Sequence, residues 1–445
     1  MEHNEPPTHT LHTRREFLRT SMLGAAAAWT LPVFLQKTFL TLDAMAADSP
    51  IQTATGKDGT ILVVLQLAGG NDGLNTIVPY ADDAYYRARP VIGIPKDKVI
   101  PINDYIGFHP KLAGLKGLYD EGRLALLQGV GYPNPNRSHF RSTEIWQTAG
   151  DADKAEVHGW LGRYFDNCCK GAAPTVGVSI GNQTPQAFAA ATPTGVSFSR
   201  PEQFRWVNPG QNRDSSEAFY RELNQPEETN AAMLDANDGG SVAAIAGAKR
   251  GGGGTLDFLE RTALDAQMSS DKVREIAKKY HSAVEYPKTP LADSLSLVAK
   301  MIAGGLATRV YYVSMGGFDT HTNQVNTQDR LMTYLGDTVA AFCKDLQAQG
   351  NFNRVMLMTF SEFGRRVTQN ASNGTDHGAA APMFVLGGGV KAGLFGRHPS
   401  LTTLNNGDLI YNVDFRRVYA TILENWLNAP SELVLGRKFP LLPIV

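Results

Sequence analysis

Two unbroken apolar runs constrain this chain more than any other feature. Val310-Tyr-Tyr-Val313 and Val355-Met-Leu-Met-Thr-Phe360 carry almost no polar alternation. Runs of this kind belong to strands buried on both faces, which in water means a parallel sheet covered by helices on each side. Each run ends in reactive side chains. The first leads into Gly316-Gly317-Phe318-Asp319-Thr320-His321. The second leads into Ser361-Glu362-Phe363-Gly364 and the pair Arg365-Arg366, with Thr375-Asp376-His377-Gly378 a short loop later. Open α/β sheets build their sites at the carboxyl ends of their strands, so acids and imidazoles released over one edge read as a metal site.

The rest of the chain extends that frame. Residues 61–67 form a further strand and empty into Ala68-Gly69-Gly70-Asn71-Asp72-Gly73. Glycines let the backbone leave the strand sharply, which presents Asp72 at the same kind of position as Asp319, although a turn Asp alone is more often a loop cap. A strand at 124–130 precedes a turn-rich loop and Arg137-Ser138-His139, followed by a helix from Arg141. Ser138 is therefore near a helix N-terminus, where an N-cap hydroxyl and an alkoxide or bound anion are equally at home. Helices at 112–119, 291–306 and 331–347 alternate with the strands, a further strand covers 383–386, and a last helix runs from 413 to 427. This order predicts an α/β fold, a doubly wound, mostly parallel sheet with helices on both faces. One large domain, 59–445, is expected to carry a cap-like insertion at about 182–290, where the pattern weakens and Gly251 to Gly254 forms a flexible run.

The formal net charge of -1 gives no global case for nucleic acid or an anionic membrane. Thr13-Arg14-Arg15-Glu16-Phe17-Leu18, an Ala-rich apolar stretch from Ser21 to Leu35 and Ala44-Met45-Ala46 have the layout of a twin-arginine signal. Residues 1–46 would be removed and 47–58 would be a linker. The expected partner in export is the twin-arginine translocase, the destination is the periplasm or the exterior, and no stable membrane span remains in the mature form. His3, His9 and His12 fall in the removed part. Cys168, Cys169 and Cys343 make no disulfide framework and no Cys-x-x-Cys zinc spacing, leaving one bridge to Cys343 or buried thiols as readings. Gly177-Val178-Ser179-Ile180-Gly181 matches a nucleophile elbow, which would make a serine esterase of Ser179. The text that follows, Asn-Gln-Thr-Pro-Gln, does not start the helix an elbow needs.

The collected acids and imidazoles at strand ends are Asp72, Asp319, His321, Glu362, Asp376 and His377. Mixed carboxylate and imidazole ligands suit a divalent metal such as Zn or Mn, and six ligands could hold one ion or two. Gly-Gly-Asn-Asp-Gly, Asn-Arg-Ser-His-Phe, Gly-Gly-Phe-Asp-Thr-His, Ser-Glu-Phe-Gly-Arg and Gly-Thr-Asp-His-Gly, in this order, resemble the bacterial domain-of-unknown-function family 1501. That family is placed in the alkaline phosphatase and sulfatase superfamily. The resemblance implies an alkaline-phosphatase-like fold and an exported metal-dependent hydrolase acting on an anionic phosphate or sulfate ester. It further implies Ser138 as nucleophile, with Arg137 or His139 steadying the anion; a metal-activated water is the alternative attacker. Three departures stand out. Phe363 occupies a position where the superfamily often has His, the Asp319 to His321 spacing is tight, and no Cys-x-Pro-x-Arg segment supplies a formylglycine. They motivate a second expectation, a non-catalytic cell-envelope binding or assembly protein that retains the fold.

Overall fold

In the computed structural model, residues 59–192, 194–201, 271 and 273–445 are described. Residues 1–58, the expected signal and linker, and positions 202–270 of the expected insertion lie outside the described residues. The chain's centre is strand β1, Ile61–Leu67, in which all seven residues are buried. Successive side chains of a strand point to opposite faces, so burial of every residue requires packing on both. Ile61, Val63 and Leu65 join one core, while Leu62 and Val64 join the other.

Eight further strands complete the sheet: β2 (Leu124–Gly131), β3 (Gly177–Ile180), β4 (Val196–Phe198), β5 (Val310–Met315), β6 (Val355–Phe360), β7 (Ala381–Gly387), β8 (Gly393–Phe395) and β9 (Val413–Asp414). Their order is β8-β2-β7-β6-β1-β5-β3-β4, with β9 also paired to β2. All pairings are parallel except those of β7, which runs antiparallel to both β2 and β6. The fold is thus α/β with a mostly parallel sheet. Helices α1 (Ala113–Asp120), α4 (Pro290–Ala303) and α5 (Gln324–Ala348) place side chains in the core that holds Ile61. Helices α2 (His139–Thr148), α3 (Trp160–Cys168) and α6 (Phe415–Asn425) do so in the core that holds Leu62.

Register is what matters for function. Leu67 lies opposite Met315 and Gln66 opposite Phe360, so β1, β5 and β6 end level. Their following loops leave one edge together.

Several elements differ from the sequence expectation. Helix α5 begins at Gln324, seven positions before Leu331, because its first turns bury Gln324 and Gln328 instead of apolar groups. The last helix starts at Phe415, since Val413 and Asp414 are taken into the sheet. Strand β4 falls in the stretch assigned to the insertion, yet it pairs with β3 at the sheet edge. Ser179 sits inside β3, opposite Tyr312 and only 3 % exposed, so the Gly-x-Ser-x-Gly match makes no exposed elbow. All three cysteines are free thiols. Among the described residues no helix is long and apolar enough to cross a membrane.

Candidate metal centre

The loops after β5 and β6 approach each other because the chain doubles back. Arg365 and His377 form an antiparallel bridge, which folds the 374–378 segment under the strand ends. Gly69 and Gly70 adopt positive φ (122° and 80°) where the loop after β1 passes beneath both. A Cβ at Gly69 would come within 2.4 Å of the Asp319 nitrogen, and one at Gly70 within 2.3 Å of the Phe363 ring. Glycine is required at both by conformation and by space.

Three imidazoles converge there, and each has its Nδ1 facing an acceptor. His139 Nδ1 lies 2.8 Å from Glu362 Oε1. His321 Nδ1 lies 3.2 Å from Asp376 Oδ1, and His377 Nδ1 lies 2.8 Å from the Arg137 carbonyl oxygen. These partners assign the proton of each neutral ring to Nδ1 and leave Nε2 as a lone pair. The three Nε2 atoms gather on one carboxylate. His321 and His377 Nε2 stand 3.1 and 3.2 Å from Asp319 Oδ1, and His139 Nε2 stands 3.5 Å from Asp319 Oδ2.

Left to themselves these contacts are unfavourable. His321 and His377 Nε2 face each other at 2.9 Å, and His139 Nε2 is a buried nitrogen with no hydrogen-bond partner. Lone pairs pointed at lone pairs and at a carboxylate repel, and an unpaired buried nitrogen costs about 1–3 kcal/mol. A cation removes each difficulty. The ligand atoms of His139, Asp319 and His377 all lie within 4.8 Å of one another. Carboxylates or carbonyls behind ligating imidazoles are the usual means of fixing ring orientation. Three carboxylates, Asp319, Glu362 and Asp376, touch the imidazoles, and the buried guanidinium of Arg365 pairs with the first of them. The residues fit a divalent metal with nitrogen and oxygen ligands.

Arg365 fixes the carboxylate. Its fully buried guanidinium donates to the carbonyls of Gly70 (2.7 Å), Thr375 (2.8 Å), Phe318 (2.9 Å) and Gly69, and to Asp319 Oδ1 (2.7 Å). Partial burial alone would raise the Asp319 pKa, but the hydrogen bond from Arg365 and the charge of its guanidinium outweigh it and hold the carboxyl at about 2. Burial pushes the His377 pKa below its ordinary value, so its ring is neutral at neutral pH. Asp376 is held below the usual carboxylate range, chiefly by a hydrogen bond from Asn370.

The side-chain surroundings account for two sequence features. Phe363, where the superfamily often has His, is buried against the rings of His139 and His377 at centroid distances of 4.9 and 4.5 Å. It is a wall that holds imidazoles. Ser138 occupies the N-cap position of α2, exposed, with no side-chain cap hydrogen bond. Its neighbours both touch the cluster, Arg137 through its carbonyl and His139 through its ring. The Arg137 side chain pairs with Asp408, Nε to Oδ2 at 2.9 Å.

The predicted residues therefore divide. Asp319, His321 and His377 share the centre with His139, whose expected role was anion stabilisation. Glu362 and Asp376 stand behind the rings. Asp72 is elsewhere: it caps the turn Gly73–Thr76 and pairs with Arg89 at 2.6 Å, both side chains fully buried. Its carboxylate oxygens are already occupied by Leu74, Asn75, Arg89 and Gln324, and none faces an imidazole. Arg365 is the residue sequence reasoning noted without giving it a role. Nothing local distinguishes it from Arg366.

Residues 60–438 match the family described as "Protein of unknown function (DUF1501)". No curated protein matches the chain. Solved structures similar to it include the PsFucS1 sulfatase from Pseudoalteromonas sp., at 10% identity over 86% of this chain and 71% of that one, TM-score 0.36. A protein in the alkaline phosphatase superfamily from Vibrio parahaemolyticus is 8% identical over 82% of this chain and 71% of that one, TM-score 0.32. The C-terminal periplasmic domain of EcEptC from Escherichia coli is 11% identical over 77% and 76%, TM-score 0.31. At these scores the likeness assigns neither substrate nor metal to this chain.

Proposed function

The chain belongs to the DUF1501 family, and we propose that it is an exported metal-dependent hydrolase of phosphate or sulfate esters, with His139, Asp319, His321 and His377 as the metal's ligands. The observation that supports this most is the convergence of three Nε2 atoms on one carboxylate, each ring held from behind by an acceptor at Nδ1. A bound Zn or Mn ion would supply Lewis-acid polarisation of the anionic ester. The chain's own groups account for the rest. Ser138 Oγ attacks phosphorus or sulfur, the bond to the departing alcohol breaks, and that alcohol takes the serine's proton. Water then cleaves the serine ester and restores the hydroxyl. Ser138 stands at the N-terminus of α2, where the N–H groups of a first helical turn favour a developing negative charge. The twin-arginine layout of residues 13–18 supports export.

Metal analysis of the purified protein, followed by hydrolysis of nitrophenyl phosphate and nitrophenyl sulfate, tests the reading. Stoichiometric metal and metal-dependent turnover are expected. A metal-free protein without turnover would favour an envelope binding protein. Ser138→Ala separates catalysis from capping. An N-cap hydroxyl is worth about 1 kcal/mol when it bonds the helix, and this one makes no such bond. The variant should lose hydrolysis with unfolding free energy unchanged within about 0.5 kcal/mol. Retained hydrolysis would rule out the serine ester.

Metal affinity should fall on acidification. Only neutral imidazoles ligate, and each proton that must be displaced weakens binding by about tenfold per pH unit below the ring's pKa. Asp319, held at about 2, stays charged throughout. Equilibrium dialysis against cobalt or zinc from about pH 8 downward should give a plateau and then a steep loss, and the loss should come below the ordinary imidazole range because burial holds the His377 pKa down.

A further inference from the structure

Behind the Asp319 loop lies a buried polar chain that the metal centre itself does not use. Asp72, Arg89 and Gln324 are at most 1 % exposed, as is Thr375, and Thr320 is 3 % exposed. Gln324 Oε1 accepts from the Thr320 hydroxyl at 3.0 Å and from the Thr375 hydroxyl at 2.6 Å. Its Nε2 donates to Asp72 Oδ2, which also receives Arg89 Nη1 at 2.6 Å. Thr320 stands between Asp319 and His321, and Thr375 immediately precedes Asp376 and His377. One amide oxygen thus holds the loop that carries Asp319 and His321 and the loop that carries His377. The backbones concur, with Thr375 N–H donating to the Thr320 carbonyl at 3.1 Å and Gln324 N–H to the Asn373 carbonyl at 2.9 Å.

The amide's orientation is dictated from one end. A carboxylate paired with Arg89 can only accept, so Gln324 must turn its NH2 toward Asp72 and its oxygen toward the threonines. Both hydroxyls are then donors, and neither loop can shift without stranding a buried polar group. We propose that Gln324, oriented by the Asp72–Arg89 pair, is a positioning residue that sets the two ligand-bearing loops in register. Its role in metal affinity rests on the reading of the cluster as a metal centre; its role in holding the loops does not. This assigns a function to the Asp of Gly-Gly-Asn-Asp-Gly that needs no contact with metal.

The experiment compares wild type, Gln324→Met and Thr375→Val as full-length folded proteins. Methionine keeps length and removes both polar ends. The Thr375→Val change removes one hydroxyl at constant shape, and it serves if Gln324→Met does not fold. Hydrogen–deuterium exchange of the metal-free proteins is read first. In Gln324→Met, segments 316–323 and 372–379 should lose protection together while strand β6 keeps its own. In Thr375→Val, segment 372–379 should loosen. Cobalt affinity by chelator competition should then fall about 10–100-fold in Gln324→Met, the range seen when groups behind metal ligands are removed. Uniform loosening of the whole protein, or unchanged loops in both variants, would overturn the proposal. So would Asp72→Asn binding one ion fewer than wild type at saturating cobalt, which would make Asp72 a ligand. If wild type binds no cobalt, the metal reading fails, and the exchange data alone decide the positioning role.

Discussion

Arg365→Met should destabilise the protein by about 3–5 kcal/mol, the range for removing one partner of a buried charged network. The guanidinium is fully buried and serves five acceptors on three segments: the carbonyls of Gly69, Gly70, Phe318 and Thr375, and the Asp319 carboxylate. Methionine fills a similar volume but donates nothing, so several inward-facing carbonyls lose their only polar partner and Asp319 loses its counter-charge. Each stranded carbonyl costs about 1–3 kcal/mol before relaxation and water entry reduce it. Lysine should recover little, because a point ammonium with three donors cannot reach five acceptors spread around a guanidinium. Urea unfolding of wild type, Arg365→Met and Arg365→Lys measures this. A loss below about 1 kcal/mol, the scale of an exposed ion pair, would mean that Arg365 does not tie the loops together.

The second large effect is chemical. Asp319→Asn preserves shape and removes the one anionic oxygen pair on which His139, His321 and His377 converge. Loss of stoichiometric metal is expected. Ester hydrolysis should fall by about 10³-fold or more, since metal polarisation supplies several kcal/mol of barrier reduction and about 1.4 kcal/mol is a factor of ten. The fold should persist, because Arg365 keeps its carbonyl partners. Elemental analysis together with nitrophenyl ester turnover reads both effects. Metal content near the wild-type value would remove Asp319 from the ligand set, and the proposed centre with it.

Some of this site was legible before any coordinates. The apolar runs at 310–313 and 355–360 specify strands buried on both faces, and β5 and β6 lie there with every residue of β6 buried. Gly69-Gly70 announces a sharp exit from β1, and both residues have positive φ. The candidates Asp319, His321 and His377 follow from position alone. Position also selected Asp72, which the structure turns inward. It leaves its strand as Asp319 does, but the chain after it coils at once into Gly73–Thr76, and the carboxylate caps that turn and meets Arg89. His139 read as an anion-binding neighbour of Ser138. Only the approach of Glu362, more than two hundred positions away, holds its ring in the cluster with Asp319 and His377.

What the sequence by itself determined is where strands lie and which loops leave the sheet edge, because burial and the two-residue repeat of a strand are written in neighbouring side chains. Which acid meets the three Nε2 atoms, which stand behind the rings and which anchor loops was decided by the tertiary structure. A carboxylate's role depends on the donors that reach it, and here those donors come from segments distant in the chain: Arg89 for Asp72, Arg365 for Asp319, and His139 for Glu362. Competition among hydrogen-bond partners settles each assignment, and it exists only once the loops have been brought together.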